Sequence, residues 1–375
     1  MRVLVCTVVH DPQDARIRFR QIAALLDAGH EVTYAAPFTA YDRQPPQGVR
    51  PVDLPRAAGR QRLRAVVAAR RTLARLAPEH DLVLLHDPDL LLAAIGPTPL
   101  RRTVVVWDVH EDTAAAIGMR SWVPGPLRGI ARSGARRGER WAERNLRLTL
   151  AEHAYAERFT RSHPVVPNSV VAPTQVATTT VPDAAGDARV VYLGRVTTAR
   201  GAQVLLDLAP LLPAGVALEV IGPADDDVRT ALETARGQGT LAWRGFVPND
   251  EALHLVDGAL VGLSLLRDEP NYAHSRPTKV MEYMAHGVAV VTTPNPASRD
   301  LVERTGAGIV VPFDDAPAVA AAVGRLLEDD ALRGRMAAAG REAAQAEFDW
   351  TIDAQRFVAT LEAWVSAGPQ SSRKG

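Results

Sequence analysis

The feature that most constrains this chain is the repeated alternation of short apolar segments with helical patterns. The first series of segments lies at residues 3–9, 32–36, 82–85, 103–107 and 148–150, and the second at 189–193, 217–221, 259–265, 288–292 and 309–311. Continuous apolar runs this short are typical of strands buried in parallel sheets, whose crossover helices cover both faces. The sequence therefore predicts an α/β fold with two doubly wound, Rossmann-like domains.

The two series are separated by a stretch that is rich in threonine, alanine and proline and has little periodicity. We predict a first domain at residues 1–168, a linker at 169–187, a second domain at 188–348, and a C-terminal helix and tail at 349–375. The two domains are expected to face a central cleft.

Composition narrows the class of protein. The 375 residues are 47% hydrophobic and 23% charged, as in ordinary globular domains. No apolar run reaches the roughly 18 residues of a membrane span, and no small-residue cleavage site follows the apolar start, so we predict a cytoplasmic protein. Cys6 is the single cysteine and cannot form an internal disulfide, and no cysteine and histidine cluster has metal-site spacing.

The net charge of zero conceals an asymmetry. Residues 1–170 hold 25 Lys and Arg against 17 Asp and Glu, which leaves an excess of +8. Much of this excess lies in two helix-like segments, Arg56 to Arg75 and Arg128 to Arg147. Such segments are often solvated helix faces, but they also predict attraction to an anionic acceptor or peripheral binding to a membrane surface. No nucleic-acid partner is expected.

Two common nucleotide-binding motifs are absent. No Gly-x-Gly-x-x-Gly follows the first strand, and no Gly-Lys-Ser or Gly-Lys-Thr occurs in the chain. The sequence therefore lacks both the dinucleotide fingerprint and the P-loop.

The stretch from Pro277 to Val291 predicts a helix with a ligand-binding start. Proline suits the first helical position, Ser275 or Arg276 can cap it, and Gly287 ends the helix. Lys279, Glu282 and His286 share one face, which is predicted to be open to a ligand in the cleft, and Val280, Met281 and Met284 share the other. A helix start with a lysine beside it suits a phosphate, and Glu282 can accept hydrogen bonds from two ribose hydroxyls.

A second cationic segment, Tyr192 to Gly201, follows the first strand of the second series. It carries Arg195 and Arg200 on a loop that opens a helix. Two guanidinium groups five residues apart can clamp a diphosphate. The same region contains the run Asp225-Asp226-Asp227, which predicts an N-terminal helix cap.

These segments resemble the retaining glycosyltransferases of family 4, which have the GT-B fold. The resemblance implies that the C-terminal helix crosses back to the first domain. The family signature Pro-x-Lys-x-x-Glu-Tyr-Met-Ala-x-Gly-x-Pro-Val is matched from Pro277 to Val290, with Ala289 replacing the second proline. The family's Gly-Arg and Lys-Gly loop is matched at residues 194–201, with Arg200 in place of the lysine. His274 stands where the family has the first of two glutamates. Weaker similarities are Asp14-x-Arg16-Ile17, Asp108-Val109-His110-Glu111, Pro167-Asn168-Ser169 and Gly245-Phe246-Val247-Pro248.

The resemblance implies transfer of a sugar from a nucleoside diphosphate sugar to an acceptor hydroxyl, with retention of configuration and without metal or cofactor. The acceptor would be a glycan, a lipid-linked molecule or a small molecule. Arg195, Arg200 and Lys279 would stabilise the leaving diphosphate, and no protein nucleophile is expected. Sugar-donor binding is predicted at Gly194, Arg195, Arg200, Gly222, Phe246, Val247, His274, Ser275, Pro277, Thr278, Lys279 and Glu282.

Acceptor binding is predicted in the first domain, where ligands collect at the carboxyl ends of parallel strands. The residues are His10, Asp11, Asp14, Arg16, His86 and His110. His110 resembles the family histidine that contacts the donor sugar or orients the acceptor hydroxyl, although a structural histidine at a strand end is the alternative. For the residues after the first strand, a loop-fixing salt bridge is the alternative.

Two other functions remain open at this point. A sugar-nucleotide epimerase of the same architecture would need further acidic and basic groups, and the sequence offers no convincing pair of carboxylates. A non-catalytic partner that binds a sugar nucleotide or glycan is suggested by His274. The Asp87-Pro88-Asp89 segment is a formal Asp-x-Asp, but its place in the acceptor domain argues against a nucleotide-bound metal.

Overall fold

The computed structural model describes residues 1–96, 100, 102–110, 125–177, 188–269, 272 and 278–369. The chain divides into two compact units, one of Met1–Asn168 with Thr351–Gly375 and one of Ser169–Trp350. Each unit contains a six-stranded sheet in which every strand pair described is parallel. The predicted α/β class with two doubly wound domains is confirmed.

The first unit is built on a sheet of order β3-β2-β1-β4-β5-β6. Its strands are β1 at Arg2–Cys6, β2 at Glu31–Ala36, β3 at Val49–Asp53, β4 at Leu82–Leu85, β5 at Val104–Val109 and β6 at Arg147–Leu150. Its helices are α1 at Ala23–Asp27, preceded by a π-helical segment at Ala15–Ile22, α2 at Phe38–Tyr41, α3 at Arg62–Leu76, α4 at Asp89–Ala94 and α5 at Gly125–Asn145. The strand order reverses between β1 and β4, where doubly wound sheets bind ligands.

The second unit repeats this plan with the order β12-β11-β10-β7-β8-β9. Its strands are β7 at Ala188–Leu193, β8 at Val216–Ile221, β9 at Ala242–Trp243, β10 at Val261–Ser264, β11 at Ala289–Thr292 and β12 at Gly308–Val310. Its helices are α6 at Ala202–Leu208, α7 at Asp226–Gly237, α8 at Asn249–Val256, α9 at Thr278–Ala285, α10 at Pro296–Thr305, α11 at Ala316–Glu328 and α12 at Asp330–Glu347. Here the order reverses between β7 and β10.

The C-terminal helix α13, at Trp350–Ala367, belongs to the first unit over most of its length. His30 lies 3.0 Å from Glu362, and the Arg147 guanidinium lies over the Trp364 ring. Phe357 and Leu361 are fully buried. The prediction that this helix crosses back to the first domain is therefore confirmed.

The structure departs from the sequence prediction at several element boundaries. The edge strands β3 and β9 were not predicted, because β3 is half exposed and contains a proline and β9 has two residues. Strand β1 ends at Cys6 rather than Val9, because the amides of Val8 and Val9 donate to the Asp87 carboxylate instead of a neighbouring strand. In the first arginine-rich segment, helix α3 begins at Arg62 rather than Arg56.

The first part of the predicted linker lies against the second unit. Val170 is buried and forms a parallel bridge with Asp349, and Arg341 donates to the carbonyls of Pro173 and Thr174. Residues 178–187 lie outside the described part, so the linker at 169–187 stays a prediction. Among the described helices, none has both the length and the apolar character needed to span a membrane.

Candidate active site

In the second unit, loops from neighbouring strands meet at the carboxyl edge of the sheet. Gly194 after β7 and Gly222 after β8 both have positive φ angles, of 110° and 144°. A Cβ on Gly222 would lie 2.2 Å from the Gly194 carbonyl oxygen, so no side chain fits there. The Gly222 amide also donates to the carbonyl of Gly245 at 2.8 Å. The predicted donor-binding glycines are thus packed backbone to backbone at this edge.

The ammonium group of Lys279 lies beneath this edge. Lys279 is 7% exposed, and its Nζ lies 3.6 Å from the centre of the Tyr192 ring and 3.7 Å from the position of a Cβ on Gly194. Among the described residues this Nζ has no hydrogen-bond partner. Burial, and after it the positive charge of Arg200, hold the pKa of Lys279 well below its usual range, and the charge of Glu282 offsets this in part.

A buried ammonium without a hydrogen-bonded anion is unfavourable, so the arrangement is suited to receive one. The identity of the residue supports a specific role, because Lys279 is one of only two lysines in a chain that otherwise uses arginine for its permanent positive charges. Lysine and arginine differ in shape and in donor geometry, so arginine does not substitute for a compact ammonium in a confined position.

Helix α9 is held in place by Tyr283, whose part the sequence interpretation did not identify. The Tyr283 hydroxyl donates to the Leu263 carbonyl at 3.1 Å and accepts from the Leu193 amide at 2.7 Å, which ties the helix to β10 and β7. A Cβ on Gly262 would lie 2.3 Å from the Tyr283 ring. These contacts of Tyr283 and Gly262 fix the position of α9 relative to the sheet, and with it the position of Lys279 beside the Gly194 loop.

The polar face of α9 is less open than the helical pattern suggested. The apolar residues Val280, Met281 and Met284 are buried as predicted, but Glu282 and His286 are also only 5% and 6% exposed. His286 contacts the Asp257 carboxylate at 2.6 Å. The interpretation of this whole face as open to ligand is therefore wrong for His286, because Asp257 occupies its ring nitrogen.

The two arginines of the Gly194 loop have different surroundings. Arg195 is half exposed and contacts Asp225 at 2.6 Å. Arg200 ends a short helical turn, and the Arg200 amide donates to the Thr197 hydroxyl. Asp225 makes no side-chain hydrogen bond to the start of α7. Asp225 nevertheless occupies the N-cap position, with Asp226 and Asp227 in the first turn as predicted, and its carboxylate pairs with Arg195 instead of a helix amide.

The remaining donor-binding predictions fall at the edges of the described region. Thr278 begins α9, and Phe246 and Val247 follow Gly245, with Phe246 37% exposed. His274, Ser275 and Pro277 lie outside the described residues. The donor-binding roles of these three residues remain predictions.

In the first unit, the predicted acceptor residues gather around one carboxylate, that of Asp108 at the end of β5. Asp108 is fully buried and accepts hydrogen bonds from Arg16 Nε and Nη2, both at 2.7 Å, from Gln21 and from the Thr149 hydroxyl. Burial alone would raise the pKa of Asp108, but the charge and hydrogen bonds of Arg16 hold it well below its usual value.

This environment gives Arg16 a positioning role. The guanidinium is 6% exposed and is engaged by Asp108 and by the Asn168 side chain at 2.9 Å. Of the two interpretations in the sequence analysis, the geometry favours the loop-fixing salt bridge for Arg16. Asp14 likewise caps the helical segment at Ala15–Ile22, and Asp11 pairs with Arg43 at 3.1 Å.

Two histidines, His86 and His110, lie beside Asp108, and a third, His10, contacts His110. His86 and His110 have ring nitrogens 3.4 Å and 3.5 Å from its carboxylate, and the Nε2 atoms of His110 and His10 are 2.9 Å apart. The Nδ1 of His110 donates to the Asp108 carbonyl at 3.2 Å, so in the neutral ring Nε2 accepts from His10. Burial lowers the pKa of His86, and Asp108 acts in the opposite direction. His110 is thereby held with Nε2 toward a second imidazole.

The two aspartates of the Asp-x-Asp segment do not act together. Asp87 accepts from the Thr7 hydroxyl and from the amides of Val8 and Val9, whereas Asp89 pairs with Arg62 at 3.1 Å. Within the described part of the chain, the atoms of His86, Asp108 and His110 are close enough to share a metal. A metal there is disfavoured, because the Asp108 carboxylate already accepts four hydrogen bonds, two of them from the positively charged Arg16.

Comparison with known proteins relates the second unit to a described family and the whole chain to named glycosyltransferases. Residues 187–329 match the family model described as Glycosyl transferases group 1. The chain is 29% identical to the phosphatidyl-myo-inositol mannosyltransferase of Mycolicibacterium smegmatis, over 98% of this chain and 95% of that protein. It is 29% identical, over 41% of its length and 40% of that protein, to a putative colanic acid biosynthesis glycosyltransferase of Salmonella typhimurium.

Solved structures agree with the fold. The sucrose-phosphate synthase of Thermosynechococcus elongatus superimposes with a TM-score of 0.71 at 18% identity, over 98% of this chain and 99% of that one. Anabaena HepE, solved in complex with UDP-glucose, superimposes with a TM-score of 0.70 at 16% identity, over 97% of this chain and 100% of that one. Residues 187–329 therefore match the group 1 glycosyltransferases, and the chain is a glycosyltransferase enzyme with the GT-B fold.

Proposed function

We propose that this glycosyltransferase uses a nucleoside diphosphate sugar, transfers the sugar with retention of configuration, and needs no metal ion. The observation that carries the proposal is the buried ammonium of Lys279 beside Gly194, which has no hydrogen-bond partner among the described residues. A diphosphate supplies the anion that this position lacks. The UDP-glucose complex of the structurally similar Anabaena HepE supports this choice of ligand.

The chemistry follows from where charge develops. The bond between the sugar C1 and the diphosphate oxygen breaks while a bond from C1 to the acceptor oxygen forms on the same face. Negative charge then grows on the diphosphate, where Lys279 and Arg200 stabilise it, with Arg195 nearby. The leaving phosphate oxygen takes the acceptor proton, so no protein nucleophile is required. His110 orients the acceptor hydroxyl or the donor sugar.

A lipid-linked acceptor is proposed for the same reaction. The Mycolicibacterium relative is named for phosphatidyl-myo-inositol, and residues 1–170 carry the +8 charge excess that attracts an anionic headgroup. The proposal specifies neither the sugar nor the base of the donor, so a panel of sugar donors is needed to test it.

The first test measures nucleoside diphosphate release from UDP-glucose, UDP-galactose, GDP-mannose and ADP-glucose, with and without EDTA. We expect release from one class of donor, little affected by EDTA because cationic side chains supply the positive charge. Loss of activity with EDTA and its recovery with magnesium or manganese would contradict metal independence. Binding without release would indicate a non-catalytic partner, and an epimerised donor would indicate an epimerase.

The second test concerns Glu282, proposed to accept hydrogen bonds from the ribose hydroxyls. Glu282→Ala is expected to raise the donor KM by about 30- to 1,000-fold, equivalent to roughly 2–4 kcal/mol, with a smaller effect on kcat, because ribose contacts are equal in ground and transition states. Since Glu282 is buried, Glu282→Gln serves as the shape-preserving control. Normal donor affinity with a much lower melting temperature in both variants would mean that Glu282 is structural.

A further inference from the structure

The first unit contains an apolar cavity that the proposed reaction does not use. The cavity has a volume of about 260 Å³ and lies between α4 and α5, against β5. The residues that line it include Leu91, Leu92, Ile95, Trp107, Ala135 and Trp141. The charged groups at its wall are paired, Arg62 with Asp89 and Glu139 with Arg158. The cavity therefore suits a hydrocarbon chain rather than a polar ligand.

Two glycines of α5 keep this cavity open. Gly134 and Gly138 are one helical turn apart and line it, and a Cβ on either would meet no atom within 4 Å. Glycine inside a helix is less stable than alanine, and packing within the described chain does not require it at these two positions. A bulky ligand that occupies the cavity would explain physically why both positions are glycine.

The mouth of the cavity continues into an exposed apolar patch. Leu92 and Ile95 line the cavity and are 61% and 43% exposed. Helix α3, which packs against α4, also carries two exposed aliphatic residues, Leu63 and Val67, which are 73% and 39% exposed. A group of exposed aliphatic side chains of this kind marks a surface that binds a partner or a membrane.

The helices α3 and α5 carry many exposed positive charges. The described exposed charged side chains of α5 are all arginines, since Glu139 and Glu143 are buried. The exposed arginines of the two helices are Arg64, Arg70, Arg71 and Arg75 on α3 and Arg132, Arg136, Arg137, Arg140 and Arg144 on α5. An apolar surface between two arginine-bearing helices complements a lipid with an anionic headgroup.

We propose that the cavity between α4 and α5 binds one acyl chain of an anionic membrane phospholipid, whose phosphate contacts the arginines of α3 and α5. This binding needs neither sugar donor nor turnover, so it stands apart from the proposed transfer reaction. The occupant is a phospholipid rather than a peptide, because the exposed charges described on α3 and α5 are arginines and the charged residues described at the cavity wall are paired.

The test measures quenching of tryptophan fluorescence by vesicles of phosphatidylcholine that contain phosphatidylglycerol with brominated acyl chains. Bromine quenches only at contact, and Trp107 and Trp141 lie at the cavity. Trp141→Phe identifies the share of the signal that comes from this site. We expect quenching with phosphatidylglycerol and much less when brominated phosphatidylcholine is the sole lipid.

Gly138→Leu fills the cavity, and Gly129→Leu is its matched control on the same helix, because Gly129 is exposed and does not line the cavity. We expect Gly138→Leu to bind about tenfold more weakly, since the new side chain must be displaced, and Gly129→Leu to bind as the parent does. Melting temperatures and circular dichroism establish that both variants are folded. Equal quenching in Gly138→Leu, equal loss in both variants, or equal quenching by phosphatidylcholine alone would overturn the proposal.

Discussion

Replacing Lys279 with methionine is expected to lower sugar transfer by about 100- to 1,000-fold while raising the melting temperature of the ligand-free protein. The loss follows from the growing charge on the diphosphate, which would lose its nearest buried cation. The gain follows because the ammonium is buried without a hydrogen-bond partner among the described residues, a state that costs on the order of 1–3 kcal/mol for a polar group. Methionine keeps the length of the side chain and removes the charge.

The stability gain has a predictable pH dependence. The pKa of Lys279 is lowered in the folded state, so the unfolded chain binds more protons between the folded and unfolded pKa values. The parent's stability therefore rises with pH across that window, and Lys279→Met removes this slope. The difference in melting temperature should be largest at low pH and shrink toward about pH 10.

Arg325→Met provides the control, because it removes an exposed cation from α11 in the same unit. A substitution of this kind is expected to change the free energy of unfolding by no more than about 0.5 kcal/mol. A Lys279→Met protein that transfers sugar at the parent rate would remove this residue from the site. One that melts well below the parent would show that the ammonium stabilises the fold.

Asp108→Asn is expected to lower the free energy of unfolding of the first unit by about 3–5 kcal/mol. Asparagine fits the space, but the Arg16 guanidinium then remains 6% exposed without its carboxylate partner. Because the pKa of Asp108 is depressed in the folded state, its contribution is complete above about pH 4 and is lost as pH falls through the folded pKa. The parent and the variant should therefore converge in strongly acidic solution.

Two further variants make this test specific. Glu79→Gln breaks an exposed ion pair with Arg50 in the same unit and should change stability by less than about 1 kcal/mol. The double variant with Arg16→Met and Asp108→Asn should recover much of the loss, because it removes the buried cation as well. Denaturant unfolding at neutral pH measures all four proteins. Equal stability of Asp108→Asn and the parent would show that the buried pair does not hold the acceptor cluster together.

Local patterns allowed much of the fold to be predicted. The short apolar runs identified ten of the twelve strands that the structure describes, and Pro277 and Gly287 bounded the helix at Thr278–Ala285. The edge strands β3 and β9 escaped, because one is half exposed and the other has two residues, so neither has the pattern of a buried strand. The path of the C-terminal helix was expected from the family resemblance rather than from its own periodicity.

The candidate site was predictable in its residue types but less so in its contacts. The helical pattern placed Lys279 and Glu282 on one face, yet it gave no sign that Tyr192 and the bare backbone of Gly194 lie against the lysine from another strand. In the first unit, Asp108 gathers Arg16, His86 and Thr149 from separate strand ends. Contacts over such sequence separations depend on strand order, which the local patterns do not determine.

The most direct test of the account is the pKa of Lys279, measured by NMR on protein labelled with carbon-13 at the lysine ε-carbons. The chain has two lysines, Lys279 and Lys374, so two signals are expected, and Lys279→Met assigns them. We predict that the Lys279 signal titrates well below the ordinary lysine value of about 10.4 in the free protein, and that the diphosphate of the preferred donor raises its pKa. A Lys279 that titrates at the ordinary value, or one whose pKa is unchanged when the diphosphate binds, would contradict the proposed anion site.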